Sequence, residues 1–224
     1  MFHDRQDAGE RLAAALAGFR DEDCVVLALP RGGVPVAAEV AKSLGAPLDL
    51  LLVRKIGAPG QPELAVGSVT DGGAPIIVRD GELMWRTGTS TRDFDKICAR
   101  ELGEIERRRK FYLGGRSPKP LAGKTVIVVD DGLATGNTMQ AALHAVRQRK
   151  PGQVVMAVPV APAGTLEKFR PLADRVVCLE TPEPFGAVGF FYDDFEQVND
   201  QDVVRLLAEQ ERRLAHSKAK VGDE

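Results

Sequence analysis

The sequence is poor in cysteine and histidine, with three of each among 224 residues. Cys24, Cys98 and Cys178 are far apart and odd in number, no C-x-x-C pair occurs, and the histidines do not cluster. That spacing argues against a structural zinc site. Two of the cysteines sit inside the apolar runs CVVLAL and VVCLE, where cysteine behaves as a small buried hydrophobe. No apolar run approaches the roughly 18 residues that span a bilayer. The first residues, MFHDRQDAGERL, are polar and charged from the third position and contain no apolar signal region. A soluble, cytoplasmic protein without a membrane partner is expected. An excess of one charge is missing as well: 30 Lys and Arg stand against 32 Asp and Glu, a net charge of −2. A chain so balanced has no global basic field, so nucleic acid is not expected among its partners. Any polyanion it binds must be held by a local site, which points to a small molecule.

What the sequence does contain is a globular composition, 44% hydrophobic and 28% charged. At this length folding buries about 70% of the extended chain's surface, and no covalent staple is needed. Residues 7–19 place Leu12, Leu16 and Phe19 at helical spacing. A beat then runs through most of the chain. CVVLAL (24–29) is apolar throughout and too short for a helix, VPVAAEVAKSLG (34–45) has helical periodicity and a terminal glycine, and LDLLLV (48–53) is a second buried strand. TVIVVD (125–130) is a third, and TMQAALHAVRQRK (138–150) is a helix with basic residues in its last turn. QVVMAVPV (153–160) and DRVVCLE (174–180) are further strands, separated by a short helical segment at 164–170. Continuous apolar strands alternating with helices predict an α/β fold, a mostly parallel sheet flanked by helices. Two stretches interrupt the beat. Residues 54–80 are rich in Gly and Pro, with a hairpin expected between AVGSV and PIIVR around TDGGA, and 92–112 reads as a strongly charged helix. A polar excursion bearing Phe and Tyr follows at 181–199, then a last helix at 200–214. The expected organisation is a core over 1–180 with a helical, lid-like insertion at about 80–116, a small C-terminal hood and helix over 181–214, and a flexible tail at 215–224.

The segment VIVVDDGLATGNTM (126–139) carries the sharpest chemistry. A buried strand ends in adjacent carboxylates, Asp130 and Asp131, and a Gly- and Thr-rich turn then opens a helix. In an open α/β sheet, ligands bind beyond the carboxyl ends of the strands. A helix N-terminus there offers free backbone N–H groups and the positive dipole end, a seat for a phosphate. Gly136 lets the backbone approach closely, while Thr135 and Thr138 add hydroxyl donors. The two aspartates suit sugar hydroxyls and a divalent cation such as Mg²⁺. Phosphate, hydroxyls and cation together describe a ribose 5-phosphate.

This segment resembles the phosphoribosyl pyrophosphate (PRPP) motif of the type I phosphoribosyltransferases, with ATGNTM nearest to the adenine phosphoribosyltransferase version. It is no Walker A loop, since G-x-x-x-x-G-K-[ST] and its lysine are missing. The resemblance covers most of residues 24–200 and fits a group of bacterial predicted phosphoribosyltransferases. It implies the type I fold and an enzyme of nucleotide metabolism that binds PRPP with Mg²⁺. The other partners implied are a small nitrogenous, nucleobase-like acceptor and pyrophosphate as product. Members are commonly dimeric, so a homodimer is expected. Asp130 and Asp131 would hold the ribose hydroxyls and the metal, while Ala134, Thr135, Gly136, Asn137 and Thr138 would wrap the 5-phosphate. LPRGGVP (29–35), another strand-to-helix turn, takes the position of the family's pyrophosphate loop, which often carries a non-proline cis peptide; Arg31, Gly32 and Gly33 fall in it. In VRKIGAPGQPELAVGSV (53–69), Arg54 and Lys55 lie just past a buried strand and are similar to an Arg-Lys pair of the adenine enzymes. They would neutralise the leaving pyrophosphate, and with Asp130 and Asp131 they form the expected catalytic set. Glu63 stays open between a catalytic and a salt-bridge role.

RELGEIERRRKFYLGGR (100–116) occupies the interval from which the family's mobile lid comes. Arg107, Arg108, Arg109, Lys110 and Arg116 would reach phosphates from above, although a charge run on a helix is usually a solvated face with i,i+4 pairs. FGAVGFFYDDF (185–195) resembles the hood of oxopurine enzymes, where an aromatic stacks on the base beside an Asp. Phe190, Phe191 or Tyr192, with Asp193 or Asp194, would take these roles, and Phe191, Tyr192 and Asp193 are the expected base-binding set. Two departures narrow the acceptor. Ala134 stands where oxopurine enzymes place an acidic candidate base, and PVAPAGT lacks the lysine they direct at the 6-oxo group. Hypoxanthine and guanine are therefore not expected. The leading expectation is transfer of ribose 5-phosphate from PRPP. Its alternative is a non-catalytic PRPP-binding regulatory protein that keeps the same sugar-phosphate site.

Overall fold

Along the chain the elements are α1 (Arg5–Ala15), β1 (Cys24–Ala28), α2 (Gly33–Leu44), β2 (Leu48–Leu50), β3 (Val53–Ala58), β4 (Gln61–Thr70), β5 (Ile76–Arg79), α3 (Gly81–Arg86), α4 (Thr91–Leu113), β6 (Thr125–Val129), α5 (Asn137–Gln148), β7 (Gln153–Val160), α6 (Ala163–Leu166), β8 (Arg175–Glu180) and α7 (Asp200–Val221). This computed structural model describes residues 1–71 and 75–221. They divide into two units, one made of 1–50 with 119 onward and one of 51–118.

The first unit is an α/β domain around a five-stranded sheet in the order β2-β1-β6-β7-β8, with every pairing parallel. Every residue of β1 and β6 is buried, as is all of β7 except Gln153. Strands covered on both faces read as unbroken apolar runs, which is why these were legible in the sequence. α2 stops where Gly45 takes φ +63, a left-handed conformation that glycine adopts without a Cβ penalty. α1 lies closely on α2: a Cβ at Gly9 would stand 2.9 Å from the Val36 carbonyl oxygen. The strand order has a further consequence. β2 lies on one side of β1 and β6 on the other, so the connections reverse direction between β1 and β6, and the crevice at their carboxyl ends is the expected ligand position.

The second unit holds an antiparallel sheet in the order β3-β4-β5. α4 buries Phe94, Cys98, Ile105, Tyr112 and Leu113 on one face. Gly67 of β4 makes room for Phe94, since a Cβ there would meet the ring at 2.7 Å.

Several expectations shift. LDLLLV is not one strand. β2 ends at Leu50, and at Leu52 the backbone exchanges hydrogen bonds with Asp71: Leu52 N–H donates to the Asp71 carboxylate at 2.9 Å, and Asp71 N–H donates to the Leu52 carbonyl at 3.0 Å. Arg54 and Lys55 consequently lie inside β3, not past a strand end. The second unit begins well before residue 80, because the β3–β4–β5 hairpins belong to it together with the charged helix. The chain leaves the first unit after Leu50 and returns at Lys119, whose N–H donates to the buried Asp49 carboxylate at 2.8 Å. The last helix continues past 214 to Val221. Residues 72–74 of the expected TDGGA turn and 222–224 of the tail lie outside the described residues. Among the described residues no helix is long and apolar enough to cross a membrane.

Candidate active site

The loops after β1 and β6 leave the sheet side by side, with Leu29 N–H donating to the Val129 carbonyl at 3.0 Å. The Pro30–Arg31 peptide is cis. Gly32 has φ −58 and ψ −38, a backbone open to any residue. Glycine is required there by contact: a Cβ would lie 2.1 Å from Asp131 Oδ2. A Cβ at Gly33 would lie 2.8 Å from the Val129 carbonyl oxygen and 2.9 Å from Asp130 Cα. The two strand-to-helix turns singled out in the sequence therefore touch each other in the reversal crevice. Arg31 projects beside them, half-buried, with its guanidinium 3.6 Å from the Asp200 carboxylate.

Beyond Asp131 the chain turns under the hood, where a Cβ at Gly132 would meet Val188 at 2.6 Å. Leu133 N–H donates to the Val160 carbonyl at 2.9 Å, and the Thr165 hydroxyl donates to the Ala134 carbonyl at 3.1 Å. Gly136 adopts φ +76 against Phe169, a conformation and a contact that exclude a side chain. α5 then starts at Asn137. Its first N–H groups have no intrahelical partner, and with the helix dipole they form an anion seat. Thr135 and Asn137 lie beside it, the hydroxyl-bearing Thr135 exposed, and Thr138 is one residue further along.

Asp130 and Asp131 sit under opposing influences. Burial, and then the neighbouring charge of Asp131, push the Asp130 carboxyl well above the usual carboxylate range. Burial raises Asp131 too, against the pull of Arg5, whose Nε donates to Asp131 Oδ2 at 2.8 Å. Asp131 N–H donates to Asp130 Oδ1 at 2.9 Å. Arg5 belongs to no motif read from the sequence. It lies 126 positions from Asp131, and the packing of α1 on α2, with the Phe2 and His3 backbone bonds to the hood, brings it here. The Tyr192 hydroxyl donates to the Asp131 carbonyl. Tyr192 is thus buried against Phe2 and Phe195 and is not free to stack on a base. Phe191 is half-buried against Phe185, with ring centroids 5.0 Å apart. The Asp193 side chain is exposed, while its N–H donates to the Phe2 carbonyl at 2.9 Å. Phe190 of the hood is open, at 73% exposure.

In the second unit Arg54 donates to Glu101 at 2.8 Å, and Arg100 bonds the same carboxylate at 2.9 Å. Burial raises the Glu101 carboxyl, but the hydrogen bonds from Arg54 and Arg100 outweigh it and hold it below its ordinary value. These three residues and the exposed Lys55 line a cavity of about 590 Å³. Glu63 is exposed. Of the cations expected to serve a lid, half-buried Arg109 is instead ion-paired with buried Asp71, Arg107 and Arg108 pair with Glu104, and Arg116 donates to the Leu113 carbonyl. Lys110 is exposed.

No group of three or more His, Cys, Asp and Glu among the described residues could enclose a metal ion. Mg²⁺ is, however, usually held by one or two carboxylates with water and substrate oxygens completing its shell. The adjacent Asp130 and Asp131 carboxylates, beside an anion seat, fit that mode.

This α/β architecture and its paired loops agree with what sequence comparison finds. A family model described as the phosphoribosyl transferase domain matches residues 3–194, and the chain belongs to that family. Two Mycobacterium tuberculosis proteins, from strains CDC 1551 / Oshkosh and H37Rv and each named "Putative phosphoribosyl transferase", are 44% identical over 219 residues, covering 98% of this chain and 49% of theirs. The chain thus spans about half the length of the curated relatives it matches. The crystal structure of TT1426 from Thermus thermophilus is similar throughout, with a TM-score of 0.81 and 44% identity over 93% of this chain and 98% of that one.

Proposed function

We propose that the protein is a Mg²⁺-dependent phosphoribosyltransferase that transfers ribose 5-phosphate from PRPP to a nitrogenous, nucleobase-like acceptor and releases pyrophosphate. The observation that carries this is the contact of Gly32 with Asp131 in the crevice between β1 and β6. It joins a glycine loop, two carboxylates and the N-terminus of α5 in one place. Residues 134–138 take the 5-phosphate, and Asp130 and Asp131 take the ribose hydroxyls. Arg31 with the backbone of Gly32 and Gly33 takes the pyrophosphate. Asp130 and Asp131 would hold Mg²⁺ together with the substrate, and the ion would supply charge neutralisation at the pyrophosphate.

In the transfer, the bond from the anomeric carbon to the pyrophosphate oxygen breaks and its electron pair leaves with pyrophosphate. The acceptor nitrogen's lone pair forms the new bond to carbon. Donors aimed at the leaving group stabilise this transition state more than the ground state. Where the acceptor nitrogen carries a proton, that proton leaves to solvent as the new bond forms. Exposed Phe190 is our choice for the aromatic that meets the acceptor.

The test is incubation with PRPP, Mg²⁺ and a panel of bases and amines, scored for pyrophosphate release, alongside thermal melts. PRPP at one hundred times its dissociation constant should stabilise the fold by about 2.7 kcal/mol, and one acceptor class should release pyrophosphate. A thermal shift without release from any acceptor would instead identify a PRPP-binding regulator. No shift at millimolar PRPP would refute the site.

A further inference from the structure

Arg5 is held as tightly as any residue of the motifs, yet the ribose-phosphate reading gives it no role. Its side chain is 11% exposed. Three contacts restrain it. Nε donates to Asp131 Oδ2 at 2.8 Å, Nη1 donates to the Glu196 carbonyl at 2.7 Å, and the guanidinium lies over the Phe195 ring, 3.8 Å from its centroid. A planar fork with two donors engaged and one face stacked has little freedom left to rotate.

We infer that Arg5 is a positioning residue that aims the Asp131 carboxylate at the sugar hydroxyls; this rests on the ribose 5-phosphate reading above. Asp131 is clamped from three sides. Arg5 holds Oδ2, Gly32 closes in on the carboxylate with no room for a Cβ, and the Tyr192 hydroxyl fixes the backbone carbonyl. The clamp has a rigid mount. Arg5 is the first residue of α1, whose N-cap Asp4 accepts from Asp7 N–H at 2.8 Å. α1 is seated on α2 through Gly9, and α2 begins at Gly33, next to the same carboxylates. The hood is tied into this mount by Phe2 and His3. Phe2 N–H donates to the Phe191 carbonyl at 2.8 Å, and the Asp193 and Asp194 N–H groups donate to the carbonyls of Phe2 and His3 at 2.9 and 2.8 Å. A freely rotating carboxylate would have to be ordered at each binding event, and that ordering weakens affinity. Arg5 orders it in advance.

The experiment replaces Arg5 by Met, which keeps the stem over Phe195 and removes the donors, and by Lys, which keeps the charge without the fork. Ribose 5-phosphate affinity is measured by calorimetry, and inorganic phosphate serves as the probe that lacks hydroxyls. Arg5→Met should bind ribose 5-phosphate about tenfold more weakly, as expected for loss of a charge-assisted hydrogen bond, with phosphate affinity unchanged. Arg5→Lys should recover only part of the loss. Wild-type protein that fails to bind ribose 5-phosphate would overturn the underlying reading. Wild-type binding that survives undiminished in Arg5→Met, or falls equally for phosphate, would overturn the positioning role alone. Should Arg5→Met not fold, the Lys variant decides: full wild-type affinity refutes orientation by the fork, and a loss confined to ribose 5-phosphate supports it.

Discussion

Substituting Gly32 by Ala tests the contact on which the functional reading depends. The backbone at Gly32 is right-handed helical, so alanine by itself would be favourable there by about 0.4–1 kcal/mol through the unfolded chain. Any loss must then come from the methyl group. Its position lies 2.1 Å from Asp131 Oδ2 and 2.7 Å from Asp131 Cγ, well inside the 3.0 Å below which Cβ contacts are essentially unknown. The carboxylate cannot swing aside freely, because Arg5 holds that same oxygen at 2.8 Å. Overpacking of this kind costs about 1–3 kcal/mol, and displacing the ion pair brings the expected loss to about 2–3 kcal/mol. For a chain of this size that is about 4–12 °C in melting temperature. The assay is a double-mutant cycle with Asp131→Ala, followed by chemical denaturation. In the Asp131→Ala background the methyl group has space, so Gly32→Ala should be neutral or slightly stabilising. The resulting coupling of about 2–3 kcal/mol identifies direct contact. An equal cost in both backgrounds, or no cost in either, would refute the placement of the two loops.

Two further outcomes follow from the second unit. Glu101→Gln should destabilise by about 1–2 kcal/mol at neutral pH, allowing for the partial exposure of Arg54. Because the Glu101 carboxyl is held below its ordinary 4.5, its stabilisation is complete above that value and is lost as pH falls through the lowered one. The wild-type advantage in melting temperature should therefore vanish in acid, and an advantage constant with pH would refute the ion-pair account. Arg109→Met should cost about 1–3 kcal/mol, since it removes the cationic partner of the buried Asp71 carboxylate and leaves the Leu52 N–H bond in place. Faster amide exchange confined to 51–71 and α4 would report it, and unchanged exchange there would show that Arg109 is dispensable.

The parts of the fold that the sequence announced are those whose signals are local. VIVVDD is an unbroken apolar strand ending in acids, and the helix after it opens on glycine and threonine, so strand, turn and helix start can be read within fourteen consecutive residues. The glycine at 45 likewise marked a helix end that the structure confirms with a left-handed cap. LDLLLV misled for a physical reason. Apolar continuity shows that a segment is buried but not which strands it pairs with, and here the chain changes sheets at Leu51 and Leu52. β3 itself contains Arg54, Lys55 and Gly57, with irregular pairing around Gly57, so its pattern does not alternate cleanly. Arg5 and Tyr192 were illegible for another reason. Their partners are 126 and 61 positions away, and no spacing rule along the chain reaches that far. Arg109 looked like one cation in a solvated run until Asp71 gave it a buried partner.

The hydrogen bond from Lys119 N–H to the Asp49 carboxylate has a meaning for how this chain can change. It fastens the point where the backbone leaves the parallel sheet to the point where it comes back. To β1, β2 and β6, everything from 51 to 118 is a closed loop whose length hardly matters, because doubling such a loop costs only about 0.6 kcal/mol in closure entropy. Insertions or deletions within that stretch should leave the register of the sheet untouched, and unchanged amide exchange in β1, β2 and β6 would check it. The protein is in this sense built in two editions, a fixed text and a replaceable chapter, and Asp49 is the binding that lets one be revised without resetting the other.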